Sequence, residues 1–418
     1  MNRRYFLGTA LAAAQRAAGA GGDVRLGVIG VGGRGRALIR TCQRAPGAKV
    51  VHLCDVDQAN LERGVKQAAD AGFTSVRQCA DMRRLLEDKD VDAVLIATPD
   101  HWHGPATILA CAAGKDVYVE KPVSHNIREG RLMVEAARKH KRIVQAGTQS
   151  RSRPSTIKAI QLARSGRIGN VLMAKAWNSQ RRRNIGHKAD GPVPPGVDYD
   201  TWVGPAEMIP FNENRFHYNW HWHWNFGTGD LGNDGAHQVD MARWALGVEA
   251  PVRVSGMGKK YYFEDDQITP DTMNITFDYG DKAMIWEMRI WTPYKLEGID
   301  NGVAVYGADG YIHIGDWEKD WGYKVFDAKG KLVEDVQVAE PDGHMENFLE
   351  CVRTRKPPNA DIEIGHLSAV HCHLGNIVAR VGRNVSYDGK TETIPGDAEA
   401  NALTRRKYRQ HWATPKGA

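Results

Sequence analysis

Along residues 24–146, short apolar runs alternate with stretches in which apolar residues recur three or four positions apart. The short runs are typical of buried parallel strands; they lie at residues 24–29, 49–54, 93–97, 116–119 and 143–146, with a shorter run near Val76. The stretches between them predict helices, at residues 36–44, 58–69, 82–87, 105–113 and 127–140. Six strands with intervening helices predict an α/β domain built on a doubly wound parallel sheet.

From residue 151 the pattern changes. A predicted helix, a predicted strand at 171–178 and a loop rich in Gly, Pro and Arg are followed by extended runs separated by turn residues. These runs lie at residues 252–254, 272–277, 282–290, 303–306, 311–314 and 323–326. The pattern predicts an α+β domain with a large, mostly antiparallel open sheet. Two amphipathic helices, at 346–353 and 364–383, are predicted near the end of the chain.

These predictions divide the 418 residues into four parts. Residues 1–22 form a signal or disordered segment, 23–150 a nucleotide-binding α/β domain, 151–340 the second domain, and 341–418 helices and a tail that pack back on both domains. Composition changes little in this picture, since 42% hydrophobic and 25% charged residues are ordinary for a globular protein. Lys and Arg number 56 against 50 for Asp and Glu, an excess too small to indicate nucleic-acid binding.

Two further absences in the sequence narrow the class of protein. Beyond the N-terminal segment, no stretch approaches the ~20 apolar residues of a membrane span. The six cysteines form no CxxC pair, and several lie in apolar runs. Buried free thiols are therefore favoured over a disulfide framework.

The glycine-rich turn GVGGRG connects the first predicted strand to the first predicted helix. Gly30 permits a tight turn, Gly32 lets the backbone approach a pyrophosphate, and Gly35 lets the helix pack closely on the strand. The second strand ends at Asp55, twenty residues past Gly35. A carboxylate there accepts hydrogen bonds from ribose hydroxyls and repels a 2′-phosphate. We therefore expect a Rossmann dinucleotide site that prefers NAD, with NADP as the alternative.

Two other predicted strand ends carry polar side chains, in ATPDHWHGP (97–105) and VYVEKPVS (117–124). Together with the glycine turn, these segments resemble the glucose–fructose oxidoreductase and inositol dehydrogenase family, Gfo/Idh/MocA, over about residues 24–388. The resemblance implies hydride transfer between a nicotinamide cofactor and a hydroxyl of a sugar, cyclitol or glycoside. It also implies a homo-oligomer that forms through the second-domain sheet.

The resemblance assigns roles to individual residues. In that family the lysine of the EKP triplet, here Lys121, contacts substrate and nicotinamide, and the histidine matching His103 lies near the nicotinamide ribose. An ammonium group beside the reacting carbon polarises a substrate hydroxyl; pairing of Lys121 with Glu120 for packing is the structural alternative. The residues expected to hold the cofactor are Gly30, Gly32, Gly33, Arg34, Gly35, Asp55, Thr98, His101, Trp102, His103, Glu120 and Lys121.

The segment GTGDLGNDGAHQVDMARW (227–244) is the predicted chemical centre of the second domain. Its spacing places Asn233, His237 and Asp240 on one side of a helix that begins near Asp234. In the resembled family the matching histidine takes the proton of the substrate hydroxyl, which implies that His237 is the base, and a neutral imidazole suits that role. The family's inositol dehydrogenases carry Asp where this chain has Asn233. An Asp–His relay is therefore in doubt, and Asp234 is the alternative partner.

The segment NWHWHW (219–224) combines indoles and imidazoles. On a strand, the alternate tryptophans point one way and suit stacking on a sugar ring, with an aromatic core strand as the equal alternative. Two histidines two residues apart could bind a metal ion, but no third ligand has suitable spacing, so we expect no metal. We expect the substrate to contact Asn233, Asp234, Tyr218, Trp222 and Trp224.

The N-terminal segment has paired arginines, a weakly apolar run and the small residues Ala18-Gly19-Ala20. This is the order of a twin-arginine export signal, and a disordered N-terminus is the alternative. We therefore expect a periplasmic or secreted protein, or a cytoplasmic one if there is no signal. That export route carries folded proteins, so a tightly bound cofactor could travel with the chain.

Three functions remain open at this stage. The first is an NAD-dependent sugar or polyol oxidoreductase, which outside the cytoplasm would have to reset a retained cofactor within each cycle. The second is an NAD-recycling glycosidase of the same fold that oxidises a hydroxyl transiently, eliminates the aglycone and returns the hydride. The third is a sugar-binding module without catalysis, in which replacing Lys121 would change no turnover.

Overall fold

The computed structural model describes residues 22–317, 320–339 and 341–418. The described chain contains a six-stranded parallel sheet and a nine-stranded, mostly antiparallel sheet, which confirms the predicted fold class. The strands of the first sheet are β1 (Val24–Ile29), β2 (Ala48–Cys54), β3 (Arg77–Cys79), β4 (Ala93–Ile96), β5 (Asp116–Val119) and β6 (Val144–Ala146). The predicted export signal lies almost wholly outside the described residues.

The strand order of the first sheet is β3-β2-β1-β4-β5-β6, so the chain reverses direction across the sheet between β1 and β4. In such sheets, ligands bind at the carboxyl ends of the strands beside this reversal. The connecting helices are α1 (Gly33–Arg44), α2 (Gln58–Asp70), α3 (Met82–Glu87), α4 (Asp100–Ala112) and α5 (Ile127–Lys139).

Helix α4 corrects one prediction. We expected a helix at residues 105–113. The helix instead begins at Asp100 and contains Pro105 in its interior. Tertiary packing favours this longer helix, since His101 and Trp102 are buried against the Trp202 carbonyl oxygen, with their ring nitrogens each 2.9 Å from it.

The second sheet has the order β14-β13-β12-β11-β7-β10-β9-β8-β15, and β7 pairs with β10 in parallel. Its strands are β7 (Val171–Asn178), β8 (Arg253–Lys259), β9 (Thr272–Asp278), β10 (Ala283–Arg289), β11 (Asn301–Gly307), β12 (Gly310–Trp317), β13 (Asp320–Asp327), β14 (Leu332–Gln337) and β15 (Val385–Ser386). Strand β14 was not predicted. Its residues alternate between half-buried and exposed, so its apolar signal is weak.

The remaining helices are α6 (Pro154–Arg164), α7 (Tyr199–Val203), α8 (Gly229–Asn233), α9 (Gly235–Leu246), α10 (His344–Thr354), α11 (Ile362–Val381) and α12 (Ala398–Ala402). The largest core cluster joins one face of the nine-stranded sheet to α6, α9 and α11. Within the described residues, no helix combines the length and apolar character needed to cross a membrane.

Helix α11 and the C-terminal tail connect the two domains. The Ser124 hydroxyl lies 3.3 Å from His373 Nε2 on α11, and Arg131 on α5 pairs with Glu363. In the tail, the Tyr408 hydroxyl donates to Glu129 Oε1 over 2.5 Å. These contacts set the carboxyl edge of the parallel sheet against the second domain.

Candidate active site

A cavity of about 660 Å³ lies at the carboxyl edge of the parallel sheet. Its walls come from the glycine turn, from the ends of β2, β4 and β5, and from the second domain. The predicted site residues that line it are Gly30, Gly32, Gly33, Arg34, Asp55, Thr98, Trp102, His103, Glu120, Lys121, Tyr218 and Asn233.

The glycine turn has the shape that a pyrophosphate needs. Gly30 has φ +82°, a left-handed conformation that favours glycine. A Cβ at Gly35 would clash with the carbonyl oxygen of Gly30, so only glycine lets α1 approach the turn this closely. At Gly32 and Gly33, by contrast, a Cβ would meet no atom within 4 Å. Open backbone at the start of a helix is suited to phosphate oxygens.

Asp55 lies at the end of the cavity nearest β2. Its carboxylate accepts hydrogen bonds from the backbone N–H of Val31 at 2.8 Å and of Asp57 at 2.9 Å. Burial raises the pKa of this carboxyl to about 6, so it is mostly ionised at pH 7. The Thr98 hydroxyl is also buried in the cavity wall, without a hydrogen-bond partner among the described residues. Open glycines, a partly buried carboxylate in the cavity wall and a free hydroxyl together fit a dinucleotide.

Lys121 is held by the second domain. Its ammonium group donates to the backbone oxygen of Asn233 and, over 3.1 Å, to Asn233 Oδ1. Glu120 is paired with Arg34 instead, with Nε and Oε1 2.6 Å apart. The ammonium group of Lys121 therefore does not form the packing pair with Glu120 that was the structural alternative.

A buried polar network continues from Asn233. Its amide Nδ2 donates to Asp230 Oδ1 over 3.0 Å, and Asp230 also accepts from Asn178 at 2.5 Å and from Arg182. Arg182 pairs with Asp234 as well. Sequence reasoning missed Asp230, although its position three residues before Asn233 in adjoining helical turns was a usable signal.

His237 lines a second, smaller cavity of about 270 Å³, together with Asp234 and Arg34. Arg34 lines both cavities, whereas Lys121 lines the first and His237 the second. Burial, reinforced by the charge of Lys121, lowers the pKa of His237 to about 4, so its imidazole is neutral at pH 7. The roles of Lys121 and His237 stay predictions.

The expected grouping of Asn233, His237 and Asp240 on one helix face is wrong. Helix α8 ends at Asn233 and α9 begins at Gly235, so the first two residues face different cavities. Asp240 is fully buried in an ion pair, with its Oδ2 2.8 Å from Arg151 Nε. It therefore stabilises the domain core and reaches neither cavity.

The predicted strand at NWHWHW is also wrong, because His217–Trp222 form a 3-10 helix. Trp222 is buried in the core, and Trp224 lies under the Arg380 guanidinium, 5.2 Å from its carbon atom. Neither tryptophan lines either cavity, and the helix ends at Trp222, so the two do not share the common direction that a strand would give them. His101 and Gly35 likewise pack behind the cavity wall rather than in it.

Several lining residues were missed as site residues. His221 and Trp220 stack with ring centroids 3.6 Å apart, and His221 Nδ1 lies 2.5 Å from the Tyr218 carbonyl oxygen. Asp100 accepts a hydrogen bond from Thr228, and burial raises its pKa to about 7. The segment around His221 was singled out for its composition, but its spacing alone did not show which rings face the cavity. Among the described residues, no cluster of His, Cys, Asp and Glu could hold a metal ion.

Comparison with known protein families shows to which class of protein the chain belongs. Residues 24–148 match the family model described as "Oxidoreductase family, NAD-binding Rossmann fold", and residues 175–414 match the C-terminal alpha/beta domain of the same family. The chain belongs to the Gfo/Idh/MocA oxidoreductase family. NAD is its cofactor class, as the glycine turn and Asp55 predicted.

Individual relatives agree with this membership. The scyllo-inositol 2-dehydrogenase (NAD(+)) of Bacillus subtilis is 27% identical over 350 residues, which cover 80% of this chain and 88% of the relative. A glycosyl hydrolase family 109 protein of Saccharopolyspora erythraea is 31% identical over 154 residues, 36% of this chain and 33% of the relative. The WlbA dehydrogenase of Bordetella pertussis, solved with NADH and UDP-GlcNAcA, has a TM-score of 0.66, 20% identity and coverage of 88% and 99%. This last likeness shows the fold.

Proposed function

We propose that this oxidoreductase transfers hydride between NAD and a hydroxyl-bearing carbon of a sugar or cyclitol. The observation that supports this proposal most directly is the position of Lys121. Its ammonium group lies in the glycine-lined cavity and donates a hydrogen bond to Asn233. The name of the Bacillus subtilis relative, which covers most of both chains, supports the polyol class.

The side chains of the site have separate roles in the proposed reaction. NAD supplies a carbon that accepts hydride; Asp55 would hold its adenosine ribose and the glycine turn its pyrophosphate. The Lys121 ammonium, with two of its protons donated to Asn233, directs the remaining one at the substrate oxygen and stabilises the developing negative charge. His237, whose imidazole is neutral and close enough to Lys121 for that charge to lower its pKa, is the group that we assign to accept the hydroxyl proton.

The direct experiment measures NADH formation from NAD with a panel of cyclitols and aldoses. We expect turnover with at least one polyol, and a loss of about 100-fold or more in kcat/KM for Lys121→Ala, because general acid–base groups contribute factors of that size. Lys158→Ala, on the exposed side of α6, is the matched control and should keep full activity. Equal activity in both variants would leave only a binding role for the site.

The glycosidase alternative rests on a specific observation, the partial match to a glycosyl hydrolase family 109 protein. Asn233 stands where inositol dehydrogenases are expected to have a carboxylate, and this difference is also compatible with a glycosidase. The two activities separate in one assay with an aryl glycoside. Release of the aglycone without net NADH supports the glycosidase, whereas net NADH with a free sugar supports the dehydrogenase.

We further propose that the chain is exported folded, with NAD already bound. The support is the arginine pair and the small residues Ala18-Gly19-Ala20 of the N-terminal segment. Replacing both arginines by lysine should retain the protein in the cytoplasm of a bacterial host, as measured by fractionation. Purified exported protein should release NAD on denaturation; export without any bound nucleotide would contradict the retained cofactor.

We also propose that copies of the chain associate through the nine-stranded sheet. Leu172 on β7 and Met257 on β8 are 48% and 46% exposed, and Leu332 and Val333 on β14 are similarly exposed. Light scattering after size exclusion should give a multiple of 46.4 kDa. Leu172→Asp should lower that mass if the sheet forms the contact.

A further inference from the structure

Four reactive or charged side chains share one face of the parallel sheet at its β2–β3 edge. The two strands pair in parallel register, with His52 opposite Arg77 and Cys54 opposite Cys79. Side chains two residues apart on a strand point the same way, so these four lie together on one face. None of them belongs to the proposed hydride chemistry.

Asp88 joins the charged members of this group. One of its carboxylate oxygens, Oδ2, lies 2.8 Å from His52 Nδ1 and 2.8 Å from Arg77 Nη2. Burial opposes protonation of His52, yet the neighbouring side chains of Cys79 and Asp88 raise its pKa above the usual value. These neighbours favour the protonated imidazole on the sheet face that also carries Cys79.

The two thiols differ in the way that disulfide exchange requires. A hydrogen bond with the Cys54 thiol, followed by the influence of His52, lowers the pKa of Cys79, and this residue is partly exposed. The same hydrogen bond and burial raise the pKa of Cys54, which is 2% exposed. The surroundings of Cys79 thus favour its thiolate form, whereas burial favours the protonated form of Cys54.

The pair also contacts the cofactor cavity. Cys54 lines the cavity wall directly before Asp55. The backbone N–H of Asp55 donates to the carbonyl oxygen of Cys79 over 3.3 Å. A covalent change at the two sulfur atoms therefore acts on the residue expected to hold the adenosine ribose.

We propose that Cys54 and Cys79 form a redox-active dithiol, and that its reversible disulfide weakens NAD binding. Neighbouring strands lie about 4.8 Å apart, within the Cα separation of about 4.4–6.8 Å that disulfides span. Both cysteines are the last residues of their strands, so closure shifts strand ends rather than the middle of the sheet. That shift moves Asp55 away from the position in which it binds ribose.

The chemistry balances with a small-molecule disulfide as oxidant, such as oxidised glutathione. The Cys79 thiolate attacks one glutathione sulfur, forms a mixed disulfide and releases one glutathione thiolate. Cys54, after losing its proton to that thiolate, attacks the Cys79 sulfur and releases the second glutathione. Two protein thiols are oxidised, and one glutathione disulfide is reduced to two thiols.

The test treats the reduced full-length protein with oxidised glutathione, counts free thiols by alkylation and maps cross-linked peptides by mass spectrometry. We expect loss of two of the six thiols, a Cys54–Cys79 peptide, and full recovery with dithiothreitol. The dissociation constant of NAD, measured by fluorescence titration, should rise about tenfold on oxidation, a typical size for coupled sites.

Two variants make the result specific. Cys79→Ser should lose no thiols and show no change in NAD affinity with oxidant. Cys111→Ser should behave as the wild type, because burial in α4 raises the pKa of that thiol to about 12 and keeps it unreactive. Mapping the disulfide in the wild-type protein does not depend on whether any variant folds. A map without the Cys54–Cys79 peptide overturns the proposal, as does a disulfide that leaves NAD affinity unchanged; neither result depends on hydride transfer.

Discussion

At the scale of single residues, Asn233 shows how a local exchange is accommodated. Its amide accepts from Lys121 and donates to the buried carboxylate of Asp230. An aspartate could accept from Lys121 but could not donate to Asp230, and the two carboxylates would repel each other. An amide is therefore the group that links this ammonium to this carboxylate. The network orients Lys121 without a second negative charge.

Asp55 carries a prediction about pH. Its pKa of about 6 means that it loses its charge as the pH falls below that value, and with the charge one acceptor for the ribose hydroxyls. We expect NAD affinity measured by titration to fall between pH 7 and pH 5. Asp55→Asn should abolish this pH dependence, weaken NAD binding about 10–100-fold and shift the preference towards NADP. A pH dependence that survives in Asp55→Asn would assign the effect to another group.

His221 carries a prediction about substrate orientation. Because Nδ1 lies beside the Tyr218 carbonyl oxygen, that nitrogen carries the proton and Nε2 is left as an acceptor. Burial lowers the pKa of His221 to about 3, so the ring is neutral. We expect His221→Phe to raise KM for the polyol about tenfold, the value of one hydrogen bond, with NAD affinity unchanged.

The neighbouring histidine provides the control for this variant. His223 packs on Phe226, with ring centroids 5.9 Å apart, and lines neither cavity. His223→Phe should therefore leave KM unchanged. If both variants raise KM equally, the effect comes from the fold of the segment and not from a hydrogen bond to substrate.

At the scale of elements, the glycine turn and α1 act as one unit. Gly35 faces the strand side, where a Cβ would strike the Gly30 carbonyl oxygen, whereas Gly32 faces open space. The same short motif thus holds one glycine for packing and another for the ligand. The unit places the start of α1 where a phosphate can reach its N–H groups.

This division predicts opposite phenotypes for two alanine variants. Gly35→Ala should lower the free energy of unfolding by about 1–3 kcal/mol, because overpacking forces α1 away from the turn. Gly32→Ala should leave stability within about 0.5 kcal/mol but weaken NAD binding, because its methyl group enters the phosphate site. Denaturant unfolding and NAD titration measure the two effects separately. A stable Gly35→Ala variant would show that the turn can relax.

At the scale of the whole molecule, buried titratable groups tie stability to pH. Six histidines have their pKa lowered to about 3 or 4 by burial, against a usual value of 6.5; these are His101, His221, His223, His237, His371 and His373. Below pH 6.5 the unfolded chain binds protons there that the native chain does not. Asp55 and Asp100, with raised pKa values of about 6 and 7, act in the opposite direction but are fewer.

We therefore expect the melting temperature to fall as the pH decreases from 7 to 5. The slope of the free energy of unfolding against pH contains about 1.4 kcal/mol per pH unit from each buried neutral histidine, once that residue is fully protonated in the unfolded chain. His371→Gln should flatten the slope by that amount, since His371 is fully buried against Tyr279. A melting temperature that rises towards pH 5 would mean that the carboxylates dominate.

The sequence by itself determined the alternation of strands and helices, the glycine turn, Asp55 and the EKP lysine. These features are local: period, turn chemistry and the residue that ends a strand are set by near neighbours along the chain. The carboxyl ends of parallel strands also meet at one edge by topology alone. The position of the cofactor cavity therefore followed from the order of the elements.

Only the tertiary structure decided which side chains meet inside that cavity. The first four residues of the aromatic segment lie in a 3-10 helix, so His221 lines the cavity while Trp222 joins the core. Asn233 and His237 fall on two helices and line two cavities, although their spacing suits one helix face. Cys54 and Cys79 lie 25 positions apart and become neighbours only through strand register. Such contacts depend on long-range packing, which a pattern of nearby residues does not contain.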